Sequence, residues 1–245
     1  MQAIGVDVGG TGIKAALVDT ATGEFHGERV RIGTPHPATP PAVLSATREL
    51  IAHLPMAAPV GIGFPAPVVD GVTTTAAHVD PAWVGAPARR LFADALGRPV
   101  ALVNDADAAG VAEARYGAAR DVEGVVVVLT LGTGIGSAIL NDGVLVPNTE
   151  LGHLEIRGKA AEKRAASSVR DAHGLSWAQW AGRLSEVIGV IDRLLWPDLV
   201  LLGGGVSRKA DKFVPLLDVR PPVRAAALQN RAGIAGAASL AVARR

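Results

Sequence analysis

Residues 4–14 run Ile4-Gly5-Val6-Asp7-Val8-Gly9-Gly10-Thr11-Gly12-Ile13-Lys14, and residues 126–136 run Val126-Val127-Val128-Leu129-Thr130-Leu131-Gly132-Thr133-Gly134-Ile135-Gly136. In the first stretch Ile4, Val6 and Val8 alternate with small or polar residues, the period of a strand with one buried face. Asp7 then faces the other way. The tetrapeptide Gly10-Thr11-Gly12-Ile13 returns as Gly132-Thr133-Gly134-Ile135, 122 residues later and about half the chain away. Each copy follows an apolar strand and precedes another. The repeat predicts two related domains, each presenting a glycine–threonine hairpin loop.

Outward from the first loop, Ala15–Val18 and Glu28–Ile32 read as further strands, joined at Thr22-Gly23 in a hairpin meander. A helix with Val43, Leu44, Thr47, Leu50, Ile51 and Leu54 on one face follows the Pro-rich stretch 35–41. Val60–Phe64 reads as a buried strand and residues 65–85 as loop. A helix through Leu91, Phe92, Ala95 and Leu96 stops at Gly97, and strand Val100–Val103 delivers Asn104-Asp105 at its end. After the second glycine loop, Ser137–Leu140 turns at Asn141-Asp142-Gly143 towards Val144–Val146. Ser176 and Gln179 form a capping-box pattern before a helix at 177–195. Its stripe comprises Trp177, Trp180, Ala181, Leu184, Val187, Ile188, Ile191, Leu194 and Leu195, a pattern that suits either a core or a homodimer face. Leu199–Leu202 is a buried strand entering Gly203-Gly204-Gly205, and a small-residue helix forms the tail from Asn230.

Composition narrows the function. The chain has 245 residues, 49% of them apolar and 19% charged, which suits a folded protein rather than a disordered one. A net charge of +1 argues against bulk electrostatic binding to nucleic acid. Cysteine is absent, which removes disulfides, thiol catalysis and thiolate-held zinc. The segment Met1–Asp7 has neither a basic region nor a long apolar run, and no apolar run is long enough to span a bilayer. A soluble, cytoplasmic protein without membrane partners is expected.

Glycine-rich turns leave backbone N–H groups unshielded, and glycine's access to positive φ lets successive amides converge on one anion. Gly9, Gly10, Gly12, Gly132 and Gly134, with the hydroxyls of Thr11 and Thr133, are therefore candidate phosphate ligands. Two such loops across a cleft could hold a polyphosphate from both sides. Plain tight turns are the competing reading. Asp7 would sit beside the phosphates and hold a metal ion through water; capping the turn is its alternative.

Asn104-Asp105 ends a buried strand in an α/β pattern, where ligands usually bind. Asp105 could accept the proton of an attacking hydroxyl. The dipeptide also suits an N-cap for a helix at 106–117. In Glu150-Leu151-Gly152-His153-Leu154-Glu155, carboxylates and an imidazole suit sugar hydroxyls, with a metal site or a solvated loop as alternatives. The five lysines, at 14, 159, 163, 209 and 212, fall in short segments that are candidate anion sites. One holds Arg157, Lys159, Lys163 and Arg164. Another, Arg208-Lys209-Ala210-Asp211-Lys212, follows Gly203–Ser207 at an expected helix start.

Taken in order, Asp7-Val8-Gly9-Gly10-Thr11, Leu131-Gly132-Thr133-Gly134, Glu150-Leu151-Gly152-His153 and Gly203-Gly204-Gly205-Val206-Ser207 resemble the successive motifs of the ROK sugar kinases. The resemblance covers nearly the whole chain. It is strongest to the polyphosphate glucokinase branch, in Ala161–Ala165, Trp196-Pro197-Asp198, Ser207–Phe213 and Ala227–Gly236. It implies the actin-like (ribonuclease H-like) ATPase fold, with two related domains around a cleft. We place them at residues 1–105 and 106–229, with a C-terminal helix at 230–245 returning to the first. The implied activity is transfer of the terminal phosphoryl of polyphosphate, or of ATP, to the 6-hydroxyl of glucose, with Mg²⁺ as cofactor. An ATP-only kinase for glucose or another hexose is the alternative. Homodimerisation is expected.

By that resemblance Asp105 is the catalytic base, and Asn104, Asp105, Glu150, His153 and Glu162 hold the sugar. The phosphates fall to Asp7, Gly9, Gly10, Thr11, Gly12, Lys14, Gly132, Thr133 and Gly134. Gly204 and Gly205 line the nucleotide-base position, and Lys163, Lys209 and Lys212 form a polyphosphate track. Asp7 carries Mg²⁺ through water. Two departures stand out. The Cys-rich zinc segment found in most of the family is absent, so no zinc is expected and His153 is no zinc ligand. His78 occupies a position where relatives usually have Asn. The family's sugar-responsive repressors carry a DNA-binding module ahead of the sugar domain; with six residues before Asp7, none is expected.

Overall fold

The structure, a computed structural model, describes residues 1–55, 57–77 and 79–243. The chain forms two compact units. One comprises Met1–Ala112 with the C-terminal segment from Arg231, and the other Glu113–Asn230. The chain passes from the first unit to the second inside a helix. His78 lies outside the described residues.

In the first unit β1 (Gln2–Gly9), β2 (Gly12–Asp19) and β3 (Phe25–Ile32) form an antiparallel meander. Helix α1 (Pro40–Ile51) leads to β4 (Val60–Phe64), parallel to β1. A short hairpin, β5 (Val68–Val69) and β6 (Val72–Thr73), precedes α2 (Ala88–Leu96). Then β7 (Val100–Asn104) joins the sheet parallel to β4 and runs into α3 (Asp105–Tyr116).

The second unit repeats the plan. Strands β8 (Val125–Leu131), β9 (Ile135–Asn141) and β10 (Val144–Val146) form an antiparallel meander. A small hairpin, β11 (Glu155–Ile156) and β12 (Lys159–Ala160), leads to helices α4 (Ala161–Ala165), α5 (Ser167–Ala172) and α6 (Trp177–Leu195). Strand β13 (Leu199–Gly203) lies parallel to β8, and β14 (Val223–Ala225) parallel to β13. The sheet orders are β3-β2-β1-β4-β7 and β10-β9-β8-β13-β14, the same succession twice. The four-residue repeat thus marks a repeat of the whole sheet plan.

Alternation along β1 divides its side chains. Ile4, Val6 and Val8 enter a core with Val43, Leu50, Trp83 and Phe92. Asp7 lies on the other face, where α7 (Ala232–Ala243) packs. That face is built for close approach. A Cβ on Gly61 would fall 1.8 Å from the Ala237 carbonyl oxygen, and one on Gly236 would fall 1.7 Å from that of Ala108. Only glycine fits where the backbones meet so closely, and the small-residue composition of the tail helix has the same cause.

Three expectations need correction. Residues 65–85 contain the β5–β6 hairpin and a 3₁₀ turn at Pro81–Trp83, whose Trp83 is fully buried against Phe64 and Phe92. Two-residue strands are too short to show a period. On α6 the capping box is present and Trp180, Ala181, Leu184, Val187, Ile188 and Ile191 are buried, but Leu194 is 63% exposed beside the helix end. Most of the stripe is core, where the Trp180 ring meets Phe213 edge-on. Finally, no α-helix starts after Gly203–Gly205. The segment Gly205–Lys212 is 3₁₀ and breaks at Lys209, so no sustained row of peptide dipoles favours an anion there.

Candidate active site

In the first unit, β1 pairs Gly9 with Gly12 and leaves Gly10 and Thr11 as an exposed two-residue turn. Cross-strand register puts Asp7 opposite Lys14, and Lys14 opposite Arg31. Lys14 Nζ donates to Asp7 Oδ2 at 2.9 Å, both side chains being largely buried. Arg31 Nη2 reaches the Thr11 carbonyl oxygen at 3.3 Å. Two cations therefore stand in a row beside the turn. Arg31 escaped the sequence reading because it is an exposed residue on β3, a full strand away from the motif. Gly9 and Gly12 do not adopt positive φ; the expected use of left-handed backbone to converge amides is not found at these two positions. A Cβ on Gly12 would instead fall 2.7 Å from Arg31 Nε.

Asp105 opens α3 directly after the last residue of β7. Asn104 is the buried cap: its Oδ1 accepts from the N–H groups of Ala106 at 2.9 Å and Asp107 at 3.1 Å. Capping, the competing reading of this dipeptide, is therefore Asn104's observed bonding. It fixes the first turn of α3 and with it Asp105, whose Oδ1 accepts from the Ala106 N–H at 2.8 Å.

In the second unit the related loop is one residue longer. Leu131 pairs with Ile135, so Gly132, Thr133 and Gly134 form the turn. Gly132, like Gly9 and Gly12, avoids positive φ, and a Cβ there would meet nothing within 4 Å. Two serines brace the loop from α5. Ser168 donates from N–H to the Gly132 carbonyl at 3.1 Å and from Oγ to the Thr133 carbonyl at 2.7 Å. Ser167 Oγ reaches the Gly132 carbonyl at 3.1 Å. With those carbonyls engaged from behind, the peptide planes are held. The Ser167-Ser168 pair was missed; its one signal is its place at a helix start.

Parallel strands β8 and β13 end side by side, Gly203 opposite Thr130, and bring the second glycine segment against the first. Gly204 sits at φ +82°, and a Cβ there would lie 2.3 Å from the Leu131 carbonyl oxygen. Glycine is required on both counts. Ser207 Oγ donates back to the Gly204 carbonyl at 2.8 Å.

Glu150, His153 and Glu162 also belong to this unit. The turn Leu151–His153 is pinned because Gly152 packs on the Ile135 carbonyl and the Leu151 N–H donates to Ser137 Oγ. His153 Nε2 lies 3.5 Å from Glu150 Oε2. Helix α4, which carries Glu162, is tied down by Ala161 N–H to the Leu154 carbonyl and by the Trp180 indole N–H to the Ala165 carbonyl at 3.0 Å. Lys163 Nζ stands 3.5 Å from Glu162 Oε1, with its side chain mostly exposed. Arg157 and Arg164, expected in an anion site, both bind Glu186 instead. One carboxylate thus engages both, with Arg164 mostly buried on it and Arg157 largely exposed. Lys209 and Lys212 are exposed.

Among the described residues no three His, Cys, Asp or Glu side chains are grouped to hold a metal ion. Asp7 is a single carboxylate with one oxygen engaged by Lys14. That donor set fits Mg²⁺, which keeps several waters and takes one or two carboxylates plus substrate phosphates. No helix among the described residues is long and apolar enough to cross a membrane.

These motifs, set on a duplicated sheet, define the class: the chain belongs to the ROK family, whose model matches residues 3–167. It is 51% identical over 240 residues to the polyphosphate glucokinase of Mycobacterium tuberculosis (strain CDC 1551 / Oshkosh), covering 98% of this chain and 91% of that one. Its structure is similar to that of the inorganic polyphosphate/ATP-glucomannokinase from Arthrobacter sp. strain KM. The TM-score is 0.97, with 46% identity over 100% of this chain and 99% of that one. A ROK family glucokinase from Streptomyces griseus, solved with glucose and AMPPNP, shares the fold at TM-score 0.85 and 24% identity over 99% of this chain and all of the other. The fold is the actin-like two-domain α/β fold of these kinases.

Proposed function

We propose that this chain is a polyphosphate glucokinase, moving the terminal phosphoryl group of inorganic polyphosphate, and also of ATP, to the 6-hydroxyl of glucose. The observation that carries the reading is the similarity to a polyphosphate glucokinase across 98% of the chain. Asp105 accepts the proton of the sugar 6-hydroxyl as that oxygen forms its bond to the terminal phosphorus. The bridging P–O bond breaks, and the shortened polyphosphate leaves with the electron pair. Glu150, His153 and Glu162 bind the other hydroxyls, and Asn104, its Oδ1 engaged by the cap, contributes through its amide N–H groups. Gly9, Gly10, Thr11, Gly12 and Lys14 bind the donor phosphates, as do Gly132, Thr133 and Gly134. Gly204 and Gly205 form the surface for an adenine ring. Asp7 would hold Mg²⁺ through water beside the donor phosphates, and the ion when bound neutralises charge on the transferring group. Most of the rate comes from positioning and fixed dipoles. A coupled assay of glucose 6-phosphate formation with polyphosphate and with ATP tests the reading: turnover with polyphosphate is expected, and turnover with ATP alone would overturn the donor assignment.

A further inference from the structure

Arg89 and Arg90 lie in the first turn of α2, and Arg98 follows its left-handed C-cap, Gly97. All three line one groove of about 1260 Å³, in which Asp94 is the sole carboxylate among the described lining residues. The groove also takes in Val60 and Val100, the first residues of β4 and β7. Asp105 follows the last residue of β7, so groove and candidate base lie at opposite ends of the same strands. Four strand steps separate Val100 from Asn104, about 13 Å.

Three guanidinium groups against one carboxylate leave positive charge in excess. Arg98 is held in place, its Nη1 donating to the Ala58 carbonyl at 2.9 Å, and burial lowers its pKa. Arg89 reaches the Asp70 carbonyl at 3.4 Å. Among the described residues no salt bridge engages Arg89 or Arg90. Arg90 lies in the first turn of α2 and Arg98 two residues past its end, and the six helical steps from Arg90 to Leu96 alone rise about 9 Å, so the charge is spread along the groove rather than focused on one point. Among its described lining residues none is aromatic, so none of them could stack a nucleotide base. A linear, multiply charged anion without a base matches this pattern.

We propose that the groove is a second anion site, distinct from the catalytic end of the sheet, whose ligand is a segment of inorganic polyphosphate. Arginine suits phosphate oxygens through paired N–H donors. A chain gripped there is held on the enzyme by groups that take no part in transfer, and only chains long enough to fill the groove gain from it.

The test is direct binding of fluorescently labelled long-chain polyphosphate to the full protein at two salt concentrations. Arg89→Gln with Arg90→Gln is expected to weaken binding about tenfold and to flatten the salt dependence, while kcat with ATP and glucose stays unchanged. Arg90→Glu alone, on the exposed helix face, should act in the same direction and guards against a folding defect in the double variant. Equal binding by wild type and variants would overturn the proposal. Displacement of the long chain by glucose 6-phosphate as readily as by tripolyphosphate would also overturn it, reassigning the groove to phosphate monoesters. Because binding is read without turnover, loss of binding in a protein that uses only ATP would sink the donor assignment and leave the groove standing.

Discussion

Lys14 Nζ lies 2.9 Å from Asp7 Oδ2, and the two residues face each other across β1 and β2, so hairpin register alone sets the pair. The ammonium compensates a largely buried carboxylate and sits three residues past Thr11, on the strand that leaves the exposed Gly10-Thr11 turn. Lys14→Met should raise KM for the phosphoryl donor about tenfold, the scale of one charge-assisted phosphate contact, with KM for glucose unchanged. Steady-state kinetics with each substrate varied in turn would check this. An equal rise in both constants would assign Lys14 to structure alone.

Asp105 is held at the head of α3 by the Asn104 cap. Asp105→Asn keeps the shape and removes the proton acceptor. The expected loss in kcat is about 10²–10⁴, with glucose affinity, measured calorimetrically, within a few-fold of wild type. Near-normal turnover would take Asp105 out of the mechanism.

Ser168 fixes the carbonyl of Thr133 through a 2.7 Å bond. Ser168→Ala removes that brace at a cost of about 1 kcal/mol, which corresponds to roughly a fivefold rise in donor KM if the loop binds phosphate. Glucose KM should not move. A variant with donor KM unaltered would show that the loop does not need the brace.

Lys209 and Lys212 are exposed on a broken 3₁₀ segment, so they act through their own charge. Neutralising both to Gln should raise KM for polyphosphate more than for ATP, because a bare phosphate chain offers no base for recognition. Equal changes for the two donors would remove them from the polyphosphate track.

Glu113 is completely buried, and its carboxylate accepts from the N–H groups of Ala118 at 2.8 Å, Ala227 at 3.1 Å and Leu228 at 2.8 Å. It ties the end of α3 to the segment leading back towards α7. Glu113→Ala leaves three backbone donors unmatched and should destabilise the fold by about 3 kcal/mol or more. Glu113→Gln, which still accepts through one oxygen, should lose less. Urea unfolding midpoints at unchanged m-value would measure both.

The meanders, the central buried strands and the placement of Asp105 at a strand end were legible from residue patterns, because alternation, turn chemistry and capping act over a few neighbouring positions. So was the duplication, carried by four residues in matched strand contexts. The β5–β6 hairpin was not legible, since two residues make no period. Nor was the true state of the charged segments: Arg157 and Arg164 look like an anion site until Glu186, on α6, is found between them. Arg31 beside Lys14, Ser168 beneath Thr133 and the three arginines around one groove share that character. Lys14 lies 17 residues before Arg31, Thr133 lies 35 before Ser168, and Ala58, which anchors Arg98 of the groove, lies 40 before it; strand register and helix packing choose these partners. Local chemistry could name the strands, the turns and the candidate base; which charges are spent inside the fold and which are left for a ligand depends on distances that come into being when the sheets close.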